Sequence, residues 1–343
     1  MSGTSKLVLA GERIIVPAEI AAAKVVAILR KANCSAATAA AVAEHLVDAS
    51  LCGVESHGVM RVLQYAQQYR DGYMAASAEP VVRKLPAGPV EVDGGGGIGI
   101  PAMALAVERA AADAISSGMA AVAVRNVGHT GRLGAFAEAG AALGHLVIII
   151  GGGGRQNWRQ VAPYGGRKAV LPTNPYCLAI PGGLRGPVVV DFATSMIAGG
   201  WVYAARSAGA RLPDGALIDR FGRPSNDPED YFRGGAILPK GGPMGYGLAL
   251  MAELICEAML GPVTTEVNWL VMAIDTTRHR APETMRKVAE EILAELRACP
   301  PAEGFAAVEV PGERERARRE AGLRTGLAIP ARTWEEIVAA ADG

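Results

Sequence analysis

The hydrophobic positions of the chain follow three successive patterns. In residues 17–68 they recur at helical spacing, and the second helical segment opens on Ser35, a residue type that caps helices, and closes at Gly53. Between about residues 90 and 281, strand and helix patterns alternate, and from residue 282 onward the pattern is helical again. Alternating strands and helices are typical of α/β folds, in which helices cover a sheet.

The central part of the chain supplies the predicted sheet. Its predicted strands are "VEVDG", "AAVAVRN", "HLVIIIGG", "YCLAIP", "GPVVVDFA" and "NWLVMAID". Its predicted helices are "PAMALAVERAAADAISSG", "RLGAFAEAGAALG" and the long apolar "MGYGLALMAELICEAMLG". We therefore predict a helical domain built from both termini, residues 1–89 and 282–343, and a central α/β sheet domain of residues 90–281.

Composition and charge narrow the possible partners. The 34 basic side chains balance the 34 acidic ones, so the net charge is zero, whereas nucleic-acid and membrane-surface partners require a basic excess. The longest apolar run, "LVIII", is too short to span a bilayer, and the N-terminus lacks the apolar core of a secretory signal. The five cysteines are widely spaced without a CxxC pair, which indicates free thiols in a reducing compartment. We expect a cytoplasmic protein that binds neither nucleic acid nor a membrane.

One glycine-rich segment imitates a dinucleotide-binding motif. Gly94, Gly96 and Gly99 stand in G-x-G-x-x-G register after a predicted strand and before a helix, as in a Rossmann unit. Four consecutive glycines match many patterns, however, and Pro101 stands early in the following helix. The next strand ends near Arg125, where a Rossmann fold would have an acidic ribose ligand. We therefore favour a glycine-rich turn over a Rossmann site.

Two of the five histidines have the setting of a proton-transfer group. His57 in "SHG" and His129 in "GHTG" are flanked by small or hydroxyl-bearing residues, which leave the ring accessible from a turn. Imidazole exchanges protons near neutral pH, although each ring alone could also be a hydrogen-bonded turn histidine. Neither has a carboxylate or cysteine at ligand spacing, so no metal site is predicted. Of the remaining histidines, His45 and His145 are expected to be structural, and His279, among arginines in "TTRHRAP", is expected to lie in a solvated loop.

Arg61 follows His57 by four residues, a spacing that would place both side chains on one face of a helix. A guanidinium beside an imidazole suits a substrate that carries a carboxylate next to a carbonyl or hydroxyl group. The arginine would bind the carboxylate, and the histidine would exchange the proton of the neighbouring oxygen. The alternative is an exposed ion pair between Arg61 and Glu55 or Asp71, and the spacing does not decide between the two.

Seven segments in sequence extend these observations over nearly the whole chain: "GVESHGVMRVLQY", "VRNVGHTGRLG", "VAPYGGRKAVLPTNPYCLAIPG", "VVVDFATSMIAGG", "LPDGALIDRFGRPSNDPED", "GGAILPKGGPMGYGLALMAELI" and "VPGERERARREAG". In this order they resemble the type 2 malate/L-lactate dehydrogenase family. The sequences "GHTG" and "GGPMGYGL" are most similar to those of the ureidoglycolate dehydrogenase branch of the family. The resemblance implies an α/β fold that is not a Rossmann fold, with a nicotinamide cofactor bound by the central domain.

The resemblance also implies roles for individual residues. His129 would be the catalytic acid/base, with His57 as a second catalytic, proton-handling group. The residues expected to bind the substrate are Arg61, Ser56, Thr173 and Asn174. The residues expected to bind the cofactor are Asn157, Asp191, Phe192, Ala193, Met244, Gly245, Gly312 and Glu313.

The chain departs from the family pattern at several positions. Met244 and Trp201 stand where family members usually carry lysines, and Pro172 replaces the usual glycine before Thr173. The segment between "AMLGP" and "VNWLVMAID" is also shorter than usual. The lost ammonium groups remove possible contacts to a cofactor phosphate or a substrate anion, and the shorter segment could open the pocket or change a subunit interface.

The resemblance leads to a specific functional expectation. The expected activity is an NAD(P)-dependent oxidoreductase that interconverts a small 2-hydroxy acid, such as malate, lactate or ureidoglycolate, and its 2-oxo acid. The alternatives are reduction of a cyclic imine carboxylate and a catalytically degenerate family member that binds a metabolite. The expected cofactor is NAD or NADP, with NAD slightly favoured, and the expected assembly is a homodimer or an assembly of dimers.

Overall fold

The computed structural model describes residues 12–86 and 88–343. In this part of the chain the strands are β1 (Arg13–Val16), β2 (Val81–Lys84), β3 (Val90–Gly97), β4 (Met119–Val127), β5 (His145–Gly152), β6 (Pro175–Ile180), β7 (Val188–Ala193), β8 (Leu217–Ile218), β9 (Pro224–Ser225), β10 (Ala236–Ile237), β11 (Asn268–Asp275) and β12 (Leu327–Pro330). The helices are α1 (Ala18–Lys31), α2 (Ala36–Leu51), α3 (Arg61–Arg70), α4 (Gly99–Ser117), α5 (Leu133–Ala142), α6 (Gly199–Ser207), α7 (Pro228–Phe232), α8 (Pro243–Glu253), α9 (Pro282–Ala298), α10 (Glu313–Thr325) and α11 (Ala331–Asp342).

A seven-stranded mixed sheet forms the centre of the molecule. Its strand order is β2-β3-β4-β11-β5-β6-β7, and β3 and β4 are its parallel pair, while the other neighbours run antiparallel. Within residues 12–86 and 88–343, no helix is long and apolar enough to cross a membrane. A Rossmann fold is built on a mostly parallel sheet. The expected non-Rossmann α/β architecture is therefore confirmed.

The glycines that imitate a dinucleotide motif serve close packing. Gly94 lies inside β3, where a Cβ atom would come within 2.2 Å of the Val127 side chain on β4. Gly99 begins α4, and a Cβ there would lie 2.7 Å from the carbonyl oxygen of Gly128. These close contacts leave no room for a side chain at either position, so the presence of glycine there requires no phosphate ligand. They also press α4 and β3 against the turn that carries His129.

The two ends of the chain pack together, as the helical patterns predict. Strand β1 pairs antiparallel with β12, and α1 packs against α2 and α11. Ser35 caps α2 as predicted, because its hydroxyl accepts the backbone N–H of Thr38 at 3.1 Å. One continuous hydrophobic core contains side chains of the terminal helices and of the central sheet, including Leu29, Leu46, Val92, Ile149 and Ile337. The domain boundaries at residues 89 and 281 remain a prediction.

The predicted apolar helix of residues 244–261 is present with one difference. Its first part is α8, and its last turn widens into the π-helix Leu254–Met259. The side-chain amide of Asn268, at the start of β11, donates to the carbonyl oxygens of Cys256 at 2.8 Å and Gly261 at 2.9 Å. These bonds satisfy carbonyl groups that the end of a regular helix would leave without partners.

A smaller layer lies between β7 and β11 in the sequence. It consists of α6, α7 and the sheet β10-β8-β9, around a core of its own. Fully buried members of this core include Val202, Leu217 and Ile237, and Trp201 packs against them. Trp201, at a position where the resemblance implies a lysine, therefore has an apolar packing role.

Candidate active site

The fold brings the two candidate histidines into contact. His57 ends a single 3₁₀ turn, Glu55–His57, and His129 lies in the turn that follows β4. The two rings are stacked, with their centroids 5.3 Å apart and their planes inclined by 26°. Gly58 makes the first turn possible, because a Cβ at this position would lie 2.2 Å from the Ser50 hydroxyl. Two imidazoles that stand far apart in the sequence thus form one pair.

The contacts of His129 assign roles to its two nitrogens. Its Nδ1 lies 2.6 Å from the Tyr65 hydroxyl and accepts the backbone N–H of Gly131 at 3.2 Å. Because a backbone N–H can only donate, Nδ1 is an acceptor, and the neutral ring carries its proton on Nε2. No described residue is a partner of Nε2. This nitrogen is therefore the one left to exchange a proton with a ligand.

Both rings of the pair are neutral at physiological pH. Burial, with the positive charge of Arg61 as the next cause, lowers the pKa of His57 to about 3. The same two causes lower the pKa of His129 well below its ordinary value, and His57 adds to the effect. Each ring would repel a positive charge on the other, so protonation of one ring further disfavours protonation of its neighbour.

Arg61 is the first residue of α3 and is held from two sides. Its Nε donates to the backbone carbonyl of Ser56, and its Nη1 donates to the side chain of Gln64. Its Nη2 has no hydrogen-bond partner among the described residues. It lies 4.0 Å from the place where a Cβ on Gly200 would stand, at the start of α6. The guanidinium is therefore held in position, and its Nη2 group, called the open corner below, remains available to a ligand.

The alternative of an exposed ion pair for Arg61 is wrong. Glu55 pairs with Arg13 at 2.6 Å, and Asp71 accepts a hydrogen bond from Gln67 at 2.7 Å. The predicted placement of His57 and Arg61 on one face of a helix is also wrong, because His57 lies in the 3₁₀ turn before α3 and not on the helix itself. The tight turn nevertheless keeps the two groups close enough for Arg61 to lower the pKa of His57.

One further polar residue, Glu266, borders this site and was not predicted from the sequence. The half-buried carboxyl group of Glu266 hydrogen-bonds to Tyr73 and lies within electrostatic reach of Arg61 and Tyr65. Burial raises the pKa of Glu266 to about 7. The available signal was the shortened segment, because Glu266 stands at its end, two residues before β11 begins. A carboxylate in a shortened loop is a reason to examine that loop for a ligand contact.

Of the remaining substrate-binding candidates, one lies at the histidine pair and two contact other parts of the protein. The Ser56 hydroxyl lies 3.0 Å from Nδ1 of His57, so it belongs to the histidine pair. Asn174 is buried with a positive φ of 37°, and its side-chain amide donates to Glu253 at 2.6 Å. The carbonyl of Thr173 accepts the hydroxyl of Thr194 at 2.9 Å. Asn174 therefore has a structural partner, and its contact with a substrate remains a prediction.

Most cofactor-binding candidates converge on the end of β7. Asp191, Phe192 and Ala193 form that end, and the turn before α8 adjoins it, because the N–H of Lys240 donates to the Thr194 carbonyl at 2.8 Å. A Cβ on Gly245 would lie 2.5 Å from the same carbonyl oxygen. The exposed carboxylate of Asp191 accepts the N–H of Gly134 at 2.7 Å, near the start of α5.

The "PGER" turn reaches the same strand from the other side. The N–H of Val189 on β7 donates to the Pro311 carbonyl at 3.2 Å, and Gly312 has the left-handed φ of 93°. The Glu313 side chain pairs with Arg297 at 2.6 Å. Asn157, on the loop after β5, and Met244, 64% exposed at the start of α8, complete the candidates. Lys240 is an exposed cation in the same turn as Met244 and was also missed.

His45 has the structural role expected for it. It is buried, its ring stacks on Phe136 with centroids 4.7 Å apart, and its Nε2 accepts the backbone N–H of Arg132 at 2.8 Å. Burial lowers the pKa of His45 to about 4. A ring held neutral in this way stabilises the fold above the pKa of the unfolded chain.

We expect an acid sensitivity that depends on His45. Its pKa falls from 6.5 to about 4 on folding, so the unfolded state binds more protons below pH 6.5 and stability is lost as the pH falls. A pKa lowered from 6.5 to about 4 corresponds to roughly 3 kcal/mol. Chemical denaturation at several pH values should show that His45→Gln removes about that much of the decrease between pH 7 and pH 4. An unchanged pH dependence would show that His45 is not responsible.

Known proteins are similar to this chain over most of its length. The sequence profile of the family described as malate/L-lactate dehydrogenase matches residues 16–338. A Δ1-pyrroline-2-carboxylate/Δ1-piperideine-2-carboxylate reductase of Pseudomonas putida is 32% identical over 317 residues, covering 88% of this chain and 90% of that protein. The NAD(+)-type ureidoglycolate dehydrogenase of Escherichia coli is 31% identical over 307 residues, covering 85% of each chain.

A solved structure gives the same result at the level of the fold. The sulfolactate dehydrogenase of Methanocaldococcus jannaschii superimposes with a TM-score of 0.83 at 28% identity, covering 95% of this chain and 96% of that one. The profile match covers nearly the whole chain, and the resemblance noted in the sequence is confirmed. The chain therefore belongs to the malate/L-lactate dehydrogenase family.

Proposed function

We propose that the protein is an NAD(P)-dependent oxidoreductase that interconverts a small 2-hydroxy acid and its 2-oxo acid. The observation that carries this proposal is the pairing of His57 and His129 beside the open corner of Arg61. A guanidinium binds carboxylates strongly, and a positioned imidazole can give or take a proton in a reaction. Together these groups suit a carboxylate whose neighbouring carbon carries an oxygen.

The cofactor candidates fit a nicotinamide dinucleotide in their chemistry. The end of β7 offers the exposed Asp191 carboxylate, a possible acceptor for ribose hydroxyls, beside the small Ala193. Lys240 provides an exposed cation for a phosphate. We propose that the central domain, residues 90–281, binds the cofactor here and that NAD is slightly preferred over NADP, as in the ureidoglycolate dehydrogenase relative whose name specifies NAD(+).

The bound nicotinamide would accept or supply the hydride at the substrate C2. Arg61 would hold the carboxylate through its open corner and thereby fix the position of C2. Tyr65 and Gly131 hold Nδ1 of His129, and its Nε2–H would donate a proton to the oxygen on C2 during reduction. The Tyr65 hydroxyl would then pass a proton taken from solvent to Nδ1, which restores the neutral ring, and oxidation would reverse these transfers. His57, stacked on His129 and in contact with Ser56, would keep that ring in place.

A second candidate function is reduction of a cyclic imine carboxylate. The similarity to the Pseudomonas putida reductase, which covers 88% of this chain, favours it. The same three residues would serve, with Arg61 on the carboxylate and His129 delivering the proton to nitrogen. A degenerate family member that binds a metabolite without turnover is the remaining alternative.

The test is a panel of 2-hydroxy acids assayed with NAD and with NADP, together with one 2-oxo acid and one cyclic imine carboxylate assayed with the reduced cofactors. Cofactor reduction with at least one hydroxy acid is the expected result. Turnover of the imine alone would support the second candidate. Binding of reduced cofactor, measured by its fluorescence, without turnover of any compound would support a metabolite-binding protein instead.

The lost family lysines are compatible with activity. Met244 is 64% exposed, so an ammonium at this position would meet solvent rather than an apolar pocket. Lys240 stands in the same turn and could supply the missing positive charge. At the other position, Trp201 packs on the core of the smaller layer, beside Gly200 and the open corner of Arg61. The cytoplasmic location that we propose agrees with the five unpaired cysteines.

We propose that the protein is a homodimer and that α8 contributes to its interface. The solvent-facing side of α8 and of the following π-helix is largely apolar: Leu250 is 41% exposed, Met251 51%, Leu254 49% and Met259 61%, while Glu257, the acidic residue of the π-helix, pairs with Arg155. A continuous apolar surface of this kind is typical of an interface between subunits.

We expect Met251→Glu combined with Leu254→Glu to produce monomers, because two carboxylates would have to be buried without partners. Sedimentation should give twice the mass of one chain for the parent and a single-chain mass for the variant. Phe221→Glu is the matched control, since Phe221 is also exposed but is surrounded by Arg220 and Arg223. A dimer that survives both substitutions would place the interface elsewhere.

A further inference from the structure

Glu266 is a carboxyl group at the candidate active site to which the proposed reaction gives no role. It lies at the end of the short segment between the π-helix and β11. This segment is tied to the strand that leads to His129: the Thr265 hydroxyl donates to the Val127 carbonyl, and the Thr264 hydroxyl contacts the Asn126 side chain at 3.2 Å. The position of Glu266 is therefore fixed by the same strand end that positions His129.

The neighbours of Glu266 belong to the substrate side of the site. Its carboxyl group hydrogen-bonds to Tyr73 and interacts electrostatically with Arg61 and Tyr65. It does not form an ion pair with Arg61, whose described partners are Ser56 and Gln64. The carboxyl group of Glu266 and the open guanidinium of Arg61 thus interact electrostatically without forming an ion pair.

We propose that Glu266 selects the group attached to C2 of the substrate, favouring a cationic or N–H-donating nitrogen and disfavouring a second anion. The inference rests on the proposed function, because it assumes that Arg61 holds the substrate carboxylate. With that carboxylate on Arg61, the other end of a small substrate faces Glu266. An ammonium or N–H group there gains a charge-assisted hydrogen bond, whereas a carboxylate or sulfonate meets a like charge in a half-buried space.

The ionisation of Glu266 is consistent with this role. Burial raises its pKa to about 7, so the group is ionised at pH 8. A nearby cation would stabilise the ionised form further. A hydrogen-bond donor from the substrate would add to the one that Tyr73 supplies.

The test compares two 2-hydroxy acids that differ only at C3: isoserine, which carries an ammonium group, and malate, which carries a carboxylate. Their Kd values are measured by calorimetry at pH 8 with reduced nicotinamide dinucleotide, with which a hydroxy acid cannot react. The parent should bind isoserine more tightly. Glu266→Gln should shift the ratio of the two Kd values toward malate by about tenfold or more, the scale of one charge-assisted contact.

Two variants control for indirect effects. Glu266→Asp keeps the charge and should keep the preference for isoserine. Glu291→Gln removes an exposed carboxylate on α9 and should leave the ratio as in the parent. A ratio in Glu266→Gln within about threefold of the parent ratio, or no binding of either acid to the parent, would overturn the proposal.

The steady-state rates separate this proposal from the proposed function. If kcat/KM with the oxidised cofactor shifts between the two acids as the Kd ratio does, both are supported. If the Kd ratio shifts but neither these acids nor the panel compounds are oxidised, Glu266 selects the ligand and the proposed oxidation is wrong. Oxidation of both acids with no change in either ratio would support the reaction and reject the role of Glu266.

Discussion

His129→Ala should lower kcat by about 10²-fold or more, the usual effect of removing a general acid or base. The reason is the position of its Nε2: Tyr65 and Gly131 occupy Nδ1, and no described residue occupies Nε2. KM should change much less, because the substrate carboxylate is assigned to Arg61. Single-turnover rates with saturating substrate are the direct measurement, since they report the chemical step without product release.

The matched control for His129 is His279→Ala, which removes an exposed histidine that follows the 3₁₀ turn Thr276–Arg278. Its rate should equal that of the parent. Tyr65→Phe should give an intermediate decrease, because it removes one of the two hydrogen bonds to Nδ1. A His129→Ala rate within about threefold of the parent would contradict the assignment, and His57 would become the candidate for the proton exchange.

Arg61→Lys should weaken substrate binding although the positive charge is retained. A lysine cannot reproduce the planar fork of the guanidinium or keep its contacts with Ser56 and Gln64. Loss of a charge-assisted contact of about 1.5–3 kcal/mol predicts a Kd for the carboxylate that is roughly 10- to 100-fold higher. The affinity for the reduced cofactor should stay the same, because the cofactor candidates lie at β7 and α8.

Arg70→Lys is the control for this substitution, since Arg70 lies at the other end of α3 and contacts Gln67. It should leave both affinities unchanged. Equal losses of substrate and cofactor affinity in Arg61→Lys would show that Arg61 acts through the fold. The two affinities are measured separately, by calorimetry for the acid and by fluorescence for the cofactor.

The sequence predicts the layout of the fold because its elements are strongly patterned. The strand "NWLVMAID" coincides with β11, and "HLVIIIGG" coincides with β5. The order of the strands in the sheet does not follow from these patterns, because β11 inserts between β4 and β5 from far along the chain. Short strands such as β8 and β10 have two residues each, too few for an alternating pattern.

The candidate site can be predicted where residues that are adjacent in the sequence identify a reactive side chain. "SHG" and "GHTG" identify His57 and His129, but only the fold shows that their rings stack. Glu266 was missed because its significance comes from burial and from neighbours on α3 and the turn after it. The ion pair of Glu313 with Arg297 was equally invisible, since the partners stand on different helices.

The same limit applies to the charged contacts around the site. Arg132, which is buried, pairs with Asp48 at 2.7 Å, although the two residues are 84 positions apart. Asp48 also pairs with Arg319 at 2.7 Å, so one carboxylate joins α2 to α10 and to the residue before α5. Tertiary packing determines which charged residues pair in this way. A single sequence contains no local pattern that predicts such pairs.

The central claim is that hydride passes between C2 of a 2-hydroxy acid and the nicotinamide. The most direct measurement uses the best substrate of the panel with deuterium at C2 and determines by mass spectrometry where the label goes. The account predicts that the reduced cofactor gains one deuterium and that the deuterated acid reacts more slowly in a single turnover. Reduced cofactor that carries no deuterium would contradict the account.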